Sequence, residues 1–553
     1  MKPMHTSVLT CMAVLALGLG ACNDEFLERE PLDTVTDVSF WQNEEHVRLA
    51  ANATYAYLKG KNTVDMENMG DNTVWPTVTE YQRISTGNYG ADVGALNTEW
   101  NDDYAGIQRC NQFLENYQKA DMSADLKERY AAEVRFMRVY LYSYLTALFG
   151  DVQFITKTIP VSDPAVYGTR EKKAVVVDWM MKELDELAPK LPLTYPPTDY
   201  GRITRGAALA LKSRIALFEG RFDLAEQAAK AVMDLNTYQL YSNGDPKTSY
   251  RELFTYKGQA AENSANRETI LARVYVKDVS MHNMSREVQV PDQAVRWNPT
   301  KSLVDAYLCS DGLPIDKSPL YTENAYTDYF KNRDPRMVQT ILSPGSAWGG
   351  LDDGDADNNP NAVYNLPKFK ADKKGAVTVT GFYFTKYVEV PAVGLVSRDE
   401  NDFHLIRYAE VLLNYAEARL EQGKLTQADV DATINKLRSR VGMVPMKLDQ
   451  LSTQGLTPRT ELRRERRVEL ALEGQRYFDI LRWKQGDVLT QDVKGIKRAF
   501  APNQSDVSIL PVDAEGYILF LTGKTFTAPK NYLWPIPFVQ RERNPNLGQN
   551  PGW

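Results

Sequence analysis

From Leu126 onward the apolar positions Leu126, Tyr130, Val134, Met137, Leu141, Leu145 and Leu148 step by four and three residues. That spacing gathers one stripe on one face of a helix. Gly150 stands where such a helix should stop, because glycine takes the left-handed cap conformation without steric cost. Helical periodicity begins after Trp41 and returns over residues 207–235 and 405–440. Each of these later stretches is broken by a glycine, Gly220 and Gly423, and each carries an alanine five positions on, Ala225 and Ala428. Small residues beside a glycine turn let two antiparallel helices approach closely, so the pattern predicts helical hairpins packed side by side.

The hairpins resemble degenerate tetratricopeptide repeats. Between them the character changes. Residues 241–403 are rich in Gly, Pro, Asn and Asp, with strand-like runs at 269–276 and 381–390 where β-branched and aromatic residues gather. Residues 343–367 read as a long loop, of a length that compact proteins keep for function or leave disordered. The tail from Tyr532 to Trp553 is rich in proline and aromatic residues, which suits a segment packed on the body. The expected fold is therefore mostly α: tetratricopeptide-like hairpins in an α-α superhelix, supporting a loop-rich region with a few short strands.

The first residues alter where this body should reside. Lys2 precedes an apolar run from Val8 to Leu19, closed by Gly20, Ala21 and Cys22. A run of about a dozen residues is a secretory segment, too short for a bilayer that needs about 20. Small residues directly before a cysteine resemble the lipobox of bacterial lipoproteins, in which Cys22 becomes the first mature residue and carries the lipid; an ordinary signal peptide is the alternative. The expected division is a signal peptide over 1–21, a polar acidic tether over 22–40 and a single body over 41–553. Within the body, hairpins occupy mainly 41–240 and 403–485, variable loop-rich sequence mainly 60–105 and 241–400, and a packed tail 486–553. The formal charge of −7 becomes one unit more negative once Lys2 is removed. With no basic tract, this balance argues against nucleic acid and suits a neutral ligand. Cys110 and Cys309 form no metal pattern or disulfide framework and are expected to be free and buried.

Catalytic constellations are scarce. His46, His282 and His404 fall in no zinc-seating pattern, and there is no Gly-x-Ser-x-Gly elbow. Gly523-Lys524-Thr525 imitates the end of a phosphate loop, but the required first glycine would fall at Ile518, so that reading is discarded. Asp352, Asp353, Asp355 and Asp357 could hold a structural calcium ion, although the bidentate twelfth position counted from Asp353 is Tyr364. A solvated acidic loop is the simpler account, and a pair of glycosidase carboxylates a third. The charged run 461–482 suggests an anion site, but it reads more simply as a helix laced by local ion pairs such as Arg466 with Glu469. Aromatics remain: 30 Tyr, 19 Phe and 9 Trp exceed what a plain helical solenoid needs. Trp75, Trp100, Trp297 and Trp348 lie in or beside polar, loop-like sequence, where an indole must either tuck into the body or meet a ligand. Flat rings match the apolar faces of sugars while neighbouring polar groups bond the hydroxyls.

A set of motifs along the chain resembles the SusD/RagB family of nutrient-binding outer-membrane lipoproteins. They are Glu133-Val-Arg-Phe-Met-Arg-Val-Tyr, Leu148-Phe-Gly-Asp-Val152, Gly201-Arg-Ile-Thr-Arg-Gly206, Asp334-Pro-Arg336, Arg407-Tyr-Ala-Glu-Val-Leu-Leu-Asn-Tyr-Ala-Glu-Ala418, Glu473-Gly-Gln-Arg-Tyr-Phe-Asp-Ile-Leu-Arg-Trp483 and the ending Asn544 to Trp553. The resemblance implies four tetratricopeptide-like hairpins carrying a variable binding region, and a SusC-like TonB-dependent transporter as partner. It implies capture of oligosaccharides without chemical change, or of peptides in some members, at an outer membrane reached through the lipid on Cys22; a lipoprotein glycosidase is the enzymatic alternative. Trp100 matches the stretch bearing a glycan-stacking aromatic in starch-binding members, with Asp103 where that pattern has an amide. Asp71 and Arg83 fall in the upstream region of polar contacts; Trp75, Trp297 and Trp348 complete the candidate set.

Overall fold

The computed structural model describes residues 40–78, 80–259, 266–289, 294–348, 363–370 and 376–553. Cys22, the signal segment, the tether up to residue 39 and the acidic loop 352–357 lie outside the described residues. The longer helices are α1 (Glu44–Thr54), α2 (Gly94–Asn116), α3 (Ala124–Phe149), α4 (Lys173–Leu187), α5 (Arg205–Phe218) and α6 (Phe222–Asp234). Later in the chain come α7 (Tyr408–Glu421), α8 (Gln427–Ala432), α9 (Ile434–Arg440), α10 (Pro458–Glu469) and α11 (Arg476–Arg482). Helices α2 and α3 pack together, α3 against α4, α4 against α5, α5 against α6, and α6 against α7, so neighbours in sequence are neighbours in space. This is the helical superstructure that the hairpin pattern predicts.

The stripe read from the sequence forms α3. Ser123 caps it by accepting a hydrogen bond from the Leu126 backbone, and Gly150 closes it at φ 77°. Tyr130, Val134, Met137, Leu141, Leu145 and Leu148 are all buried. The two hairpin turns also need their glycines, since Gly220 sits at φ 70° and Gly423 at φ 69°, a region that costs a side-chain-bearing residue about 1–2 kcal/mol. Among the described residues no helix is long and apolar enough to cross a membrane. Cys110 and Cys309 are free and buried, and burial pushes the Cys110 thiol up to about 12.

Three details differ from expectation. Leu405, expected inside a helix, belongs to strand β4 (Phe403–Arg407), which pairs antiparallel with β2 (Thr269–Arg273) before the chain turns into α7. The run 381–390 forms no strand; its Phe382, Tyr383, Phe384 and Tyr387 are buried in an aromatic cluster, and Tyr387 at φ 66° breaks the extended path. The charged run folds as α10 and α11, but its ion pairs are mostly long-range. Arg466 bonds Asp479 at 2.8 Å, while Glu469 meets Arg336 at 3.0 Å and Arg407 and Arg440 at 2.7 Å each. These groups are buried, and a buried charge needs partners that the next helical turn cannot supply alone.

That network joins the two halves of the core. Arg336 comes from the loop-rich region, Arg407 from β4, Arg440 from α9 and Glu469 from α10. Two further ribbons complete the small sheets: β1 (Thr73–Val74) with β3 (Asn298–Pro299), and β5 (Val493–Lys497) with β6 (Tyr517–Leu521). The C-terminal tail is held to the helices through Trp534, whose backbone donates to Leu148 and whose indole donates to the Tyr477 hydroxyl.

Candidate functional site

The β1–β3 ribbon is only two residue pairs long, Thr73 with Pro299 and Val74 with Asn298, yet it clasps the upstream segment to the loop-rich region. The buried Asn298 side chain locks the pairing by donating to the carbonyls of Val74 at 3.1 Å and Val295 at 3.0 Å. The Thr300 hydroxyl donates to the Asp71 carbonyl at 2.6 Å.

At one end of the clasp, Trp75 meets Trp297 edge to face with ring centroids 6.0 Å apart. Lys61 lies over the Trp297 ring at 4.9 Å and pairs with Glu287 at 2.7 Å, and Arg296 pairs with the same carboxylate at 3.0 Å. Burial pushes the neighbouring Asp65 carboxyl up to about 6, although Lys61 opposes the shift. The indole nitrogens of Trp75 and Trp297 have no hydrogen-bond partner among the described residues. Trp297 is fully covered, whereas Trp75 is half-buried, and Thr77, Val78 and Arg296, close to the two rings in sequence, are exposed.

At the other end lies a cavity of about 690 Å³. Asp71 stands in its wall, gripped by Arg476 through two bonds of 2.6 and 3.0 Å and by Arg467 at 3.1 Å. Burial alone would raise this carboxyl, but the two guanidiniums outweigh it and hold Asp71 well below the usual range. Burial, with Arg476 adding to it, brings Arg467 down to about 10 against the pull of Asp71. Lys301, paired with Asp305 at 2.6 Å, and Lys494, paired with Asp513 at 2.6 Å, line other sides, with Lys524 between strands and helices. Charged donors and acceptors crowd these walls, an arrangement able to bind a ligand rich in hydroxyls or oxyanions.

The remaining candidates lie elsewhere. Trp100 is 4% exposed, packed on Phe149 and Tyr104 with centroids 5.0 Å away in each case. Asp103, one turn on, is 1% exposed and takes the Lys59 ammonium at 2.9 Å, which Glu99 shares at 2.6 Å. Burial raises Asp103 to about 7, with Lys59 opposing and Glu99 adding. Trp348 is buried between Tyr364 and Tyr383. Trp100, Asp103, Trp297 and Trp348 thus present no open face to a ligand in this structure, because protein side chains already cover them. Arg83 is half-buried and faces Asp92 at 4.0 Å. Of the candidate set the clasp brings together Trp75, Trp297 and Asp71. Sequence reading missed Lys61 and Glu287, passed over Arg467 and Arg476 in a charged run that reads as structural, and set Lys524 aside with a phosphate-loop motif whose spacing fails.

A groove of about 600 Å³ built around Tyr195, Tyr200 and Tyr238 offers less, because each hydroxyl is already engaged, by Glu133, Asp402 and Thr204 respectively. No group of three or more His, Cys, Asp or Glu side chains able to hold a metal exists among the described residues.

Residues 267–553 match the family model described as the SusD family. The chain belongs to the SusD family. A second model of the same kind, described as starch-binding associating with the outer membrane, matches residues 25–217. Among relatives, the SusD-like protein P2 of Formosa agariphila is 23% identical, with 98% of each chain covered. A solved SusD-like carbohydrate-binding protein from Bacteroides fragilis superposes with a TM-score of 0.79 at 28% identity, over 92% of this chain and all of that one. The surface glycan-binding protein A from Bacteroides thetaiotaomicron, solved in complex with laminarihexaose, shares the SusD fold with a TM-score of 0.65 at 18% identity, over 92% of this chain and all of that one.

Proposed function

We propose that this chain is a non-catalytic, cell-surface glycan-binding protein. In this reading it is held at the outer membrane by lipid on Cys22 and hands oligosaccharides to a SusC-like TonB-dependent transporter. The observation that carries it is the likeness over nearly the whole chain to a solved SusD-like carbohydrate-binding protein, at a TM-score of 0.79 and 28% identity. The description of the N-terminal family model, starch-binding associating with the outer membrane, supports the location as well as the ligand class, and the laminarihexaose held by a protein of the same fold supports the class again. The clasp supplies what a sugar needs: a half-buried indole at Trp75, and charged groups at both ends to bond hydroxyls.

A glycan array probed with the full-length protein in detergent tests the reading. Retention of a glycan class is expected, with the ligand recovered intact. Trp75→Ala should weaken binding by about 2 kcal/mol if the ring is a stacking hot spot. Capture of peptides and no glycan, or release of shortened sugar, would overturn it.

A further inference from the structure

One lysine has no structural occupation. Lys524 is 7% exposed, lines the cavity of about 690 Å³ and makes no ion pair or hydrogen bond with any described residue. Its surroundings explain how it came to be buried. The following residue, Thr525, donates its backbone N–H to Thr86 at 2.9 Å, which pins the strand exit against the N-terminal part of the body, and Gly523 at φ 67° turns the chain just before it. Burial lowers the Lys524 pKa, and the acids that oppose this, Asp71 and Asp492, act from beyond ion-pair distance. Asp71 is already committed to two guanidiniums, Arg476 at 2.6 Å and Arg467 at 3.1 Å, and Asp492 is exposed at the rim.

The charge balance of this wall is therefore incomplete. One carboxylate serves Arg467 and Arg476 together, and Lys524 adds a third cation with none of its own. The stem of Lys524 is buried while its ammonium opens into the cavity with no protein partner, so the charge is partly desolvated there, and a methionine would fill the same space without that cost. An anionic ligand in the cavity would supply the partner that the protein does not.

We propose that Lys524 and Arg467 form an oxyanion subsite in this cavity, which takes a carboxylate or a sulfate ester carried by an acidic glycan. The inference rests on glycan capture and narrows it, since the acidic net charge of the chain suggested a neutral ligand. The local surface runs opposite to the average. Neutral sugar units on either side of the anionic group would bond the paired side chains Lys301, Asp305 and Lys494 at the same walls.

Full-length protein in detergent, titrated calorimetrically with three probes, tests this: oligogalacturonate for a carboxylate, carrageenan oligosaccharides for a sulfate ester, and laminarin as the neutral control. At least one acidic probe should bind, with an affinity that falls as sodium chloride rises from 50 to 500 mM, about the range over which the screening length shrinks from roughly 14 to 4 Å. Lys524→Met should weaken that probe about tenfold and flatten its salt dependence, while Lys524→Arg stays within about threefold of the wild type. Binding of one acidic probe and not the other assigns the chemistry as uronate or sulfate. Lys524→Met removes a partly desolvated cation that has no ion-pair partner and should melt no lower than the wild type; Lys524→Gln serves as a second neutral variant. Unchanged acidic-glycan affinity in both neutral variants would overturn the subsite, as would laminarin binding with neither acidic probe bound, and in that last case glycan capture itself would stand. Failure of all three probes, together with an empty glycan array, would overturn both.

Discussion

Replacing Glu469 by Gln should be among the most damaging isosteric changes in this protein. The carboxylate is fully buried and receives Arg407 at 2.7 Å, Arg440 at 2.7 Å and Arg336 at 3.0 Å. An amide keeps the shape but turns an NH₂ toward guanidinium donors and removes the negative charge. The loss falls unevenly. Arg336 keeps Asp334 at 2.7 Å and Glu465 at 2.6 Å, and Arg407 keeps Glu268 and Glu473 at 2.7 Å each. Arg440 keeps only Glu268, at 3.3 Å. One strongly undercompensated guanidinium is the expected outcome, and breaking a buried pair from one side costs about 3–5 kcal/mol. For a cooperative unit of this length the unfolding entropy makes each kcal/mol worth roughly 1 °C, so Tm should drop by about 3–5 °C at pH 7. The pH dependence supplies the second readout. Burial works against the charged form of Glu469, but the three arginines overcome it and hold the carboxyl far below its ordinary value. A depressed carboxyl contributes stability that is present above its unfolded value of about 4.3 and is lost as the pH falls toward the folded one. The Tm gap between wild type and Glu469→Gln, read by differential scanning calorimetry, should therefore be widest at neutral pH and narrow on acidification below about 4. A gap under about 1 °C at pH 7, or one that widens in acid, would refute the reasoning.

Asp103→Asn probes a buried group with the opposite sign: burial raises Asp103 to about 7, so the folded state resists its ionisation and stability is lost as pH climbs from about 4 toward 7. The asparagine variant should match the wild type near pH 4, gain at least about 1 kcal/mol by pH 8 in urea titrations, and leave glycan affinity unchanged, because the side chain is enclosed with Lys59 and Glu99. Cys22→Ala should move the protein from the membrane to the soluble fraction of fractionated cells while array binding persists; retention in the membrane fraction would remove the lipid anchor from the account.

The scaffold was legible because its rules are local. A step of three and four residues, an N-cap serine at Ser123 and glycines at Gly150, Gly220 and Gly423 specify helices and turns without reference to the rest of the chain. Pairings set by distant sequence were not. Leu405 read as helix because nothing in the surrounding residues announces β2, more than a hundred positions upstream. Arg466 has a local partner in Glu469 by spacing, but burial gave it Asp479 and gave Glu469 three other arginines. The tryptophans show the same limit at the site. Polar neighbours in sequence signal that an indole must be covered, yet whether protein or ligand covers it depends on tertiary neighbours. For Trp348 those are Tyr364 and Tyr383, and for Trp100 they are Phe149 and Tyr104. Lys524 was dismissed with a phosphate-loop motif whose spacing fails, and only its burial against the N-terminal body restores its interest.

The clasp explains how the proposed binding region, built of irregular chain, is held in place. Its two residue pairs would be marginal alone, since isolated ribbons hardly hold in water. They are fastened from behind by Asn298 across the strands and by Arg467, which donates to the Asn72 side chain at 2.8 Å while pairing with Asp71 at 3.1 Å. Arg467 sits on α10, the same helix whose Glu465 and Glu469 anchor the buried network. The scaffold thus reaches the site through one helix: its buried side fixes the position of Arg467, and Arg467 fixes the strand that carries Asp71 at one end and Trp75 at the other. A ligand spanning both ends would meet groups already held in place, so little ordering cost would be subtracted from its contacts. Changes of ligand class could then arise at rim positions such as Thr77, Val78, Gln491 and Asp492, whose exposed side chains can be exchanged without disturbing that support.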